Sequence, residues 1–80
     1  MTNPKRVGRK VVIRRGDVWR VDSTSGFVWD MENDKVELRS YSLKVSTAEP
    51  LIRRVPLADF YRGRLVSDNP PGTVLWVGVI

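Results

Sequence analysis

The stretch Arg14-Arg15-Gly16-Asp17-Val18-Trp19-Arg20-Val21-Asp22 joins the basic end of the chain to its first convincing strand. Successive side chains of an extended chain alternate between two faces, so Val18, Arg20 and Asp22 point one way and Trp19 and Val21 the other. One apolar row is therefore available to a core. The two arginines before Gly16 stand just outside it, within reach of a polyanion.

Downstream, Ser23-Thr24-Ser25-Gly26 has the composition of a polar hairpin loop. Phe27-Val28-Trp29-Asp30-Met31 then places Phe27, Trp29 and Met31 on one heavily apolar face, with Val28 and Asp30 opposite. The pattern makes Trp19 and Trp29 core residues or cross-strand partners, because each can bury a large area in a small domain. Glu32-Asn33-Asp34-Lys35 reads as a tight turn, and residues 36–43 as a strand in which Val36 and Leu38 alternate with Glu37, Arg39 and Tyr41. Together these segments predict a three-stranded meander.

Residues 44–50 read as a surface loop. Leu51-Ile52-Arg53-Arg54-Val55 resumes strand character until Pro56, which lacks a ladder donor and confines the strand to an edge or ends it. Leu57-Ala58-Asp59-Phe60-Tyr61 suits a single helical turn, too short for a stable α-helix. Ser67-Asp68-Asn69-Pro70-Pro71-Gly72 is the strongest turn composition in the chain. Residues 73–80 are apolar on both faces, which predicts either a strand closing the domain or one covered by another subunit. Upstream, Val11-Val12-Ile13 opens a short strand, and residues 1–10 are too polar to repay ordering by burial.

These segments predict an all-β domain over residues 11–80, preceded by a flexible basic arm over residues 1–10. Five to six short antiparallel strands, with one short 3₁₀ or helical turn near residues 57–61, best fit a small SH3-like barrel or roll. Fold alone does not assign function.

The chain contains neither cysteine nor histidine. Disulfide frameworks, thiolate metal sites and nucleophilic sites of the Ser-His-Asp or Cys-His type are thereby excluded. No Gly-rich phosphate loop opens a helix, and Asp30, Glu32, Asp34 and Glu37, with Lys35 among them, lack calcium-loop spacing and read as a solvated hairpin tip. No cofactor is expected. No apolar run reaches the roughly 20 residues of a membrane span, and the N-terminus lacks a signal-peptide core, so a soluble, cytoplasmic protein is expected.

The net charge is +5, unevenly distributed. Residues 1–20 carry seven basic side chains against one acid, residues 21–50 three against six, and residues 51–80 four against two. A chain divided this way can present faces of opposite sign to an electrostatic partner.

Within the opening stretch, Arg15-Gly16-Asp17-Val18-Trp19-Arg20-Val21-Asp22 resembles the first strand of MazF/PemK-type toxins, SH3-like endoribonucleases that often begin Arg-Gly-Asp-hydrophobic-Trp-x-Val-Asp. The resemblance covers eight of eighty residues. It implies an SH3-like barrel. The downstream strands that hold the catalytic arginine and hydroxyl residues of that family have no counterpart in this sequence, so no catalytic residue is carried over.

Function is therefore read from the cations. Arg62 and Arg64 flank Gly63 beside Phe60 and Tyr61 and share a side if Gly63 is extended, whereas only one of Arg53 and Arg54 can join a given surface. Guanidinium groups match phosphate oxygens with paired donors, and an adjacent ring can stack on a base. The competing assignment buries Phe60, half-buries Tyr61 and pairs the arginines with Asp59, Asp68 or the acidic middle segment. The leading expectation is a non-enzymatic module that binds DNA or RNA mainly through phosphates. Its candidate residues are Lys5, Arg6, Arg9, Lys10, Arg14, Arg15, Arg62 and Arg64, with Tyr61 as a stacking ring. Six phosphate contacts would give log affinity against log salt a slope of about −5. The alternative is a protein-interaction module, an adaptor or small inhibitor of the kind phages and mobile elements encode, docking through its charged faces and residues 73–80. Val74, Trp76 and Ile80 are then the candidates for a partner or for homodimer contacts.

Overall fold

The computed structural model describes residues 8–40 and 50–80. The expected loop over residues 44–50 and the end of the strand expected over 36–43 lie largely outside that range, as do Lys5 and Arg6. The fold is all-β, with seven strands and one 3₁₀ helix. The strands are β1 (Lys10–Arg14), β2 (Val18–Val21), β3 (Thr24–Glu32), β4 (Lys35–Ser40), β5 (Leu51–Pro56), β6 (Arg64–Ser67) and β7 (Val74–Val79), and the helix (Leu57–Arg62) links β5 to β6. One sheet has the order β5-β4-β3-β2-β6, and β1 pairs with β7 in a second, two-stranded sheet. All pairings are antiparallel. This is the SH3-like roll expected from the sequence, its short helix lying before the strand that returns to β2.

The count exceeds the five or six strands expected because two long arms are each broken once. Arg20 pairs with Arg64 and Lys10 with Val79, so eleven residues of the first arm run alongside sixteen of the second. The excess is taken up by the loop between β6 and β7, and Asp17 holds that loop in place. Its carboxylate, 1% exposed, accepts from the Arg14 N–H (2.9 Å) and the Asn69 N–H (2.6 Å). Asn69 in turn donates its side-chain amide to the Arg15 carbonyl at 2.8 Å. Gly16 turns at φ +94° against that amide, where a Cβ would collide with it.

Two hairpins of the meander reverse over two residues each. Asp22 and Ser23 have φ of 56° and 67°, and Asn33 and Asp34 have 52° and 62°. Positive φ at both central positions is the signature of the type I′ turn, whose twist matches that of the flanking strands. The second turn lies where the sequence placed it. The first corrects the loop expected over residues 23–26: Thr24 and Ser25 already pair with Val21 and Arg20.

The core is built from Val11, Ile13, Trp19, Val21, Val28, Val36, Leu38, Val55, Leu57 and Phe60. Trp19 meets Phe60 edge-on, with ring centroids 5.0 Å apart. Thus the apolar row Trp19–Val21 and the alternation of Val36 with Leu38 are used as expected. The third strand is not: Val28 is fully buried, while Trp29 is 45% exposed and Phe27 and Met31 only partly covered. The physical reason is backbone pairing. Val28 exchanges hydrogen bonds with the 16–17 corner, donating to the Asp17 carbonyl (2.7 Å) and accepting from the Gly16 N–H (2.8 Å), and it faces Leu38 across the sheet. A register shift between Val28 and Asp30 then leaves Trp29 outside.

Arg9 and Lys10, assigned to the arm from sequence, join the ordered ladder. Arg9 exchanges backbone hydrogen bonds with Ile80 at 2.8 and 2.9 Å, and Lys10 opens β1. The Arg9 guanidinium donates to the carbonyls of Phe60, Tyr61 and Gly63 (3.4, 3.0 and 2.6 Å) and lies over the Trp19 ring at 5.8 Å. It therefore satisfies the end of the 3₁₀ helix. Among the described residues, no helix is long and apolar enough to cross a membrane.

Candidate nucleic-acid interface

Residues directly opposite on paired strands share a face of the sheet. The register therefore places Ile52, Arg39, Phe27 and Val18 in one row across β5, β4, β3 and β2. Arg54, Glu37 and Asp30 form the row on one side of it, and Ser25, Arg20 and Arg64 the row on the other. Val21, Val28, Val36 and Leu38 point inward between these rows. The outer face is thus rich in arginine, with two aromatic rings at its centre.

Trp29 is held on that face from two sides. The Arg39 guanidinium lies 4.3 Å from its ring centroid, and Phe27 approaches edge-on at 6.2 Å. Arg39 is itself fixed by Glu37 (Nε to Oε2, 2.6 Å), which Arg54 approaches at 3.9 Å. The Trp29 carbonyl accepts from Arg15 Nε at 2.7 Å, and Arg15 also reaches Asp30 at 3.5 Å. Arg15 is accordingly a partly neutralised brace.

At the other end of the face, Arg20, Asp22, Ser23, Arg62 and Arg64 line an open groove of about 320 Å³. Gly63 is extended (φ −84°, ψ 171°), which is the condition for Arg62 and Arg64 to share a side. Their charges are used differently. Arg62 forms a two-pronged pair with Asp22 (2.8 and 2.9 Å) and reaches Asp59 at 3.2 Å. Arg20 and Arg64 face each other directly across β2 and β6, and neither has a carboxylate partner among the described residues.

The Asp22–Arg62 pair sets a pH response. The hydrogen bond from Arg62 holds the Asp22 carboxyl below its ordinary value of 3.8, and Asp22, followed by Asp59, raises Arg62 further above neutrality. A carboxyl depressed in the folded state contributes stability that is present above the unfolded value and is lost as pH falls through the folded one. Arg62→Gln is expected to raise the Asp22 midpoint toward the ordinary carboxylate range, followed by NMR titration of its side-chain carbon. An unchanged midpoint in the variant would show that the pair does not form in solution.

The candidate cations therefore do not converge on one surface. Arg62 and Arg64 lie in the groove, Arg14 and Arg15 at the corner beyond the opposite end of β2, and Arg9 under the 3₁₀ helix. Lys10 is exposed at the start of β1, and Tyr61 is 41% exposed on the helix. The sequence reading leaves out Arg20 and Arg39, weighs Arg54 only as the alternative to Arg53, and assigns Trp29 to the core or a cross-strand pair. Alternation had already placed Arg20 opposite Trp19 and Val21, so that signal was present; the outward turn of Trp29 carried none. Arg53 turns the other way from Arg54 and donates to the Val21 carbonyl at 3.0 Å.

Trp76 on β7 and Ile80 just after it are partly buried against the core, and Trp76 packs on Gly78. Val74, Val77 and Val79 are the exposed residues of that strand. Among the described residues, no group of three or more acidic side chains gathers to hold a metal. Comparison with protein-family models, with curated proteins and with solved structures finds no match to this chain.

Proposed function

We propose that the protein is a small, non-enzymatic binding module of the cytoplasm that holds nucleic acid mainly through phosphates, on the outer face of its five-stranded sheet. The observation that carries this reading is the Arg20–Arg64 pair. Their Cβ atoms stand about 5 Å apart on adjacent strands, and like charges directly opposite in this way are destabilising. A phosphate between them reverses that term and accepts paired hydrogen bonds from both guanidinium groups. Arg39 and Arg54 add two further guanidinium groups to this face on β4 and β5, both beside Glu37 at 2.6 and 3.9 Å.

Four such contacts imply a slope of log affinity against log salt of about −3 on a single strand, shallower than six contacts would give. Arg20→Glu together with Arg64→Glu is expected to lower affinity at least tenfold and to flatten that slope by about 1.4. Anisotropy titrations at several salt concentrations measure both. A wild-type protein with no salt dependence, or a double variant that binds as wild type does, would end this proposal.

A second reading, a protein-interaction module, is favoured by the exposed Val77 and Val79 of β7. They share a face of the two-stranded sheet with Val12, paired to Val77, and with Lys10, paired to Val79. Concentration-dependent sedimentation of the protein alone would support self-association through that face.

A further inference from the structure

The ligand class at this face follows from the state of Trp29. An indole is the largest apolar side chain available to a small core, yet this one is 45% exposed while valine occupies the buried position beside it. The ring is also pre-set. Arg39 covers it at 4.3 Å, Glu37 fixes Arg39 at 2.6 Å, and Phe27 meets it edge-on at 6.2 Å. A side chain so braced loses little rotational freedom when a ligand arrives. The Arg20–Arg64 row lies roughly 13 Å along the sheet, four strand residues from Trp29, a separation that a few nucleotides span.

Resting on the phosphate-binding reading above, we infer that the nucleic acid is single-stranded and that one of its bases stacks on Trp29 while the arginines hold the flanking phosphates. In a duplex each base face is already covered by its neighbours, and the indole gains nothing except at an end. In an unpaired strand every base offers a free π-face, so the contact tolerates any sequence. Arg20 and Arg64, which no carboxylate among the described residues neutralises, supply a charge complement that an apolar peptide would not need.

The test uses the full chain with three probes of equal charge: a dT12 strand, a hairpin duplex and an abasic phosphodiester strand. Wild type is expected to bind dT12 most tightly, with quenching of tryptophan emission. Trp29→Ala is expected to lose roughly tenfold on dT12, with unchanged affinity for the abasic strand and an unchanged salt slope. Trp29→Phe should retain most of the affinity while losing the quench, and it preserves a ring should alanine perturb the sheet. Equal losses on dT12 and the abasic strand, or none on either, would overturn the stacking inference and leave phosphate binding standing. Failure of wild type to bind any of the three would overturn the phosphate reading itself.

Discussion

Asp17→Ala is expected to lower the melting temperature by about 12 °C or more, and to free the β1–β7 ribbon before the rest of the fold. The carboxylate is 1% exposed and accepts two backbone N–H groups, from Arg14 and Asn69. A hydrogen bond to a charged group contributes about 1.5–3 kcal/mol, so the loss of both costs roughly 3–6 kcal/mol. An 80-residue domain has only about 4–12 kcal/mol in total. The single substitution therefore removes much of what keeps the chain folded. Asp17→Asn keeps one acceptor oxygen but sets an amide donor against an N–H, and an intermediate loss is expected. Calorimetry gives the midpoint, and amide exchange shows whether β1 and β7 lose protection first. A variant melting within a few degrees of wild type would mean that the loop between β6 and β7 is held by something other than this side chain.

Trp19→Ala is expected to cost about 3–5 kcal/mol, the range for emptying a large aromatic site in a core. Part of that is the edge-on contact with Phe60 at 5.0 Å, worth about 0.5–1.5 kcal/mol beyond burial. Trp19→Phe should cost far less, about 1 kcal/mol or below. It keeps a ring against Phe60 and removes an indole N–H that is buried without an acceptor among the described residues, a group whose isolation costs about 1–3 kcal/mol. Urea melts of the two variants separate these effects. Equal destabilisation by both would show that the indole nitrogen has a partner the fold depends on. Trp29→Ala, by contrast, should leave stability nearly unchanged while weakening binding, since its ring is half outside.

The contrast between the two tryptophans marks the limit of what alternation can say. Trp19 alternates with arginine, so only one of its faces is apolar and the inward direction follows. The segment 27–31 has apolar residues on both faces, Phe27, Trp29 and Met31 on one and Val28 on the other. Counting favours the larger set, and the structure uses the smaller. Val28 is drawn inward by its hydrogen bonds to the 16–17 corner, a constraint from eleven residues away that no local pattern contains. The same holds for charge. The sequence neighbours of Arg62 suit a ligand of phosphate, but its closest partner, Asp22, lies forty residues earlier.

The amino-acid sequence by itself determined the strands, the Asn33–Asp34 turn, the short helix before the last crossing and the absence of histidine or thiol chemistry. These depend on residue type and period-two spacing, which act over a few residues. Tertiary structure alone decided which face of β3 is buried, that Asp17 is a buried anchor, and which arginines keep their charge unmatched. Each of those outcomes is fixed by a hydrogen bond or ion pair between segments distant in the chain, and such pairings exist only once the two arms have closed around one core.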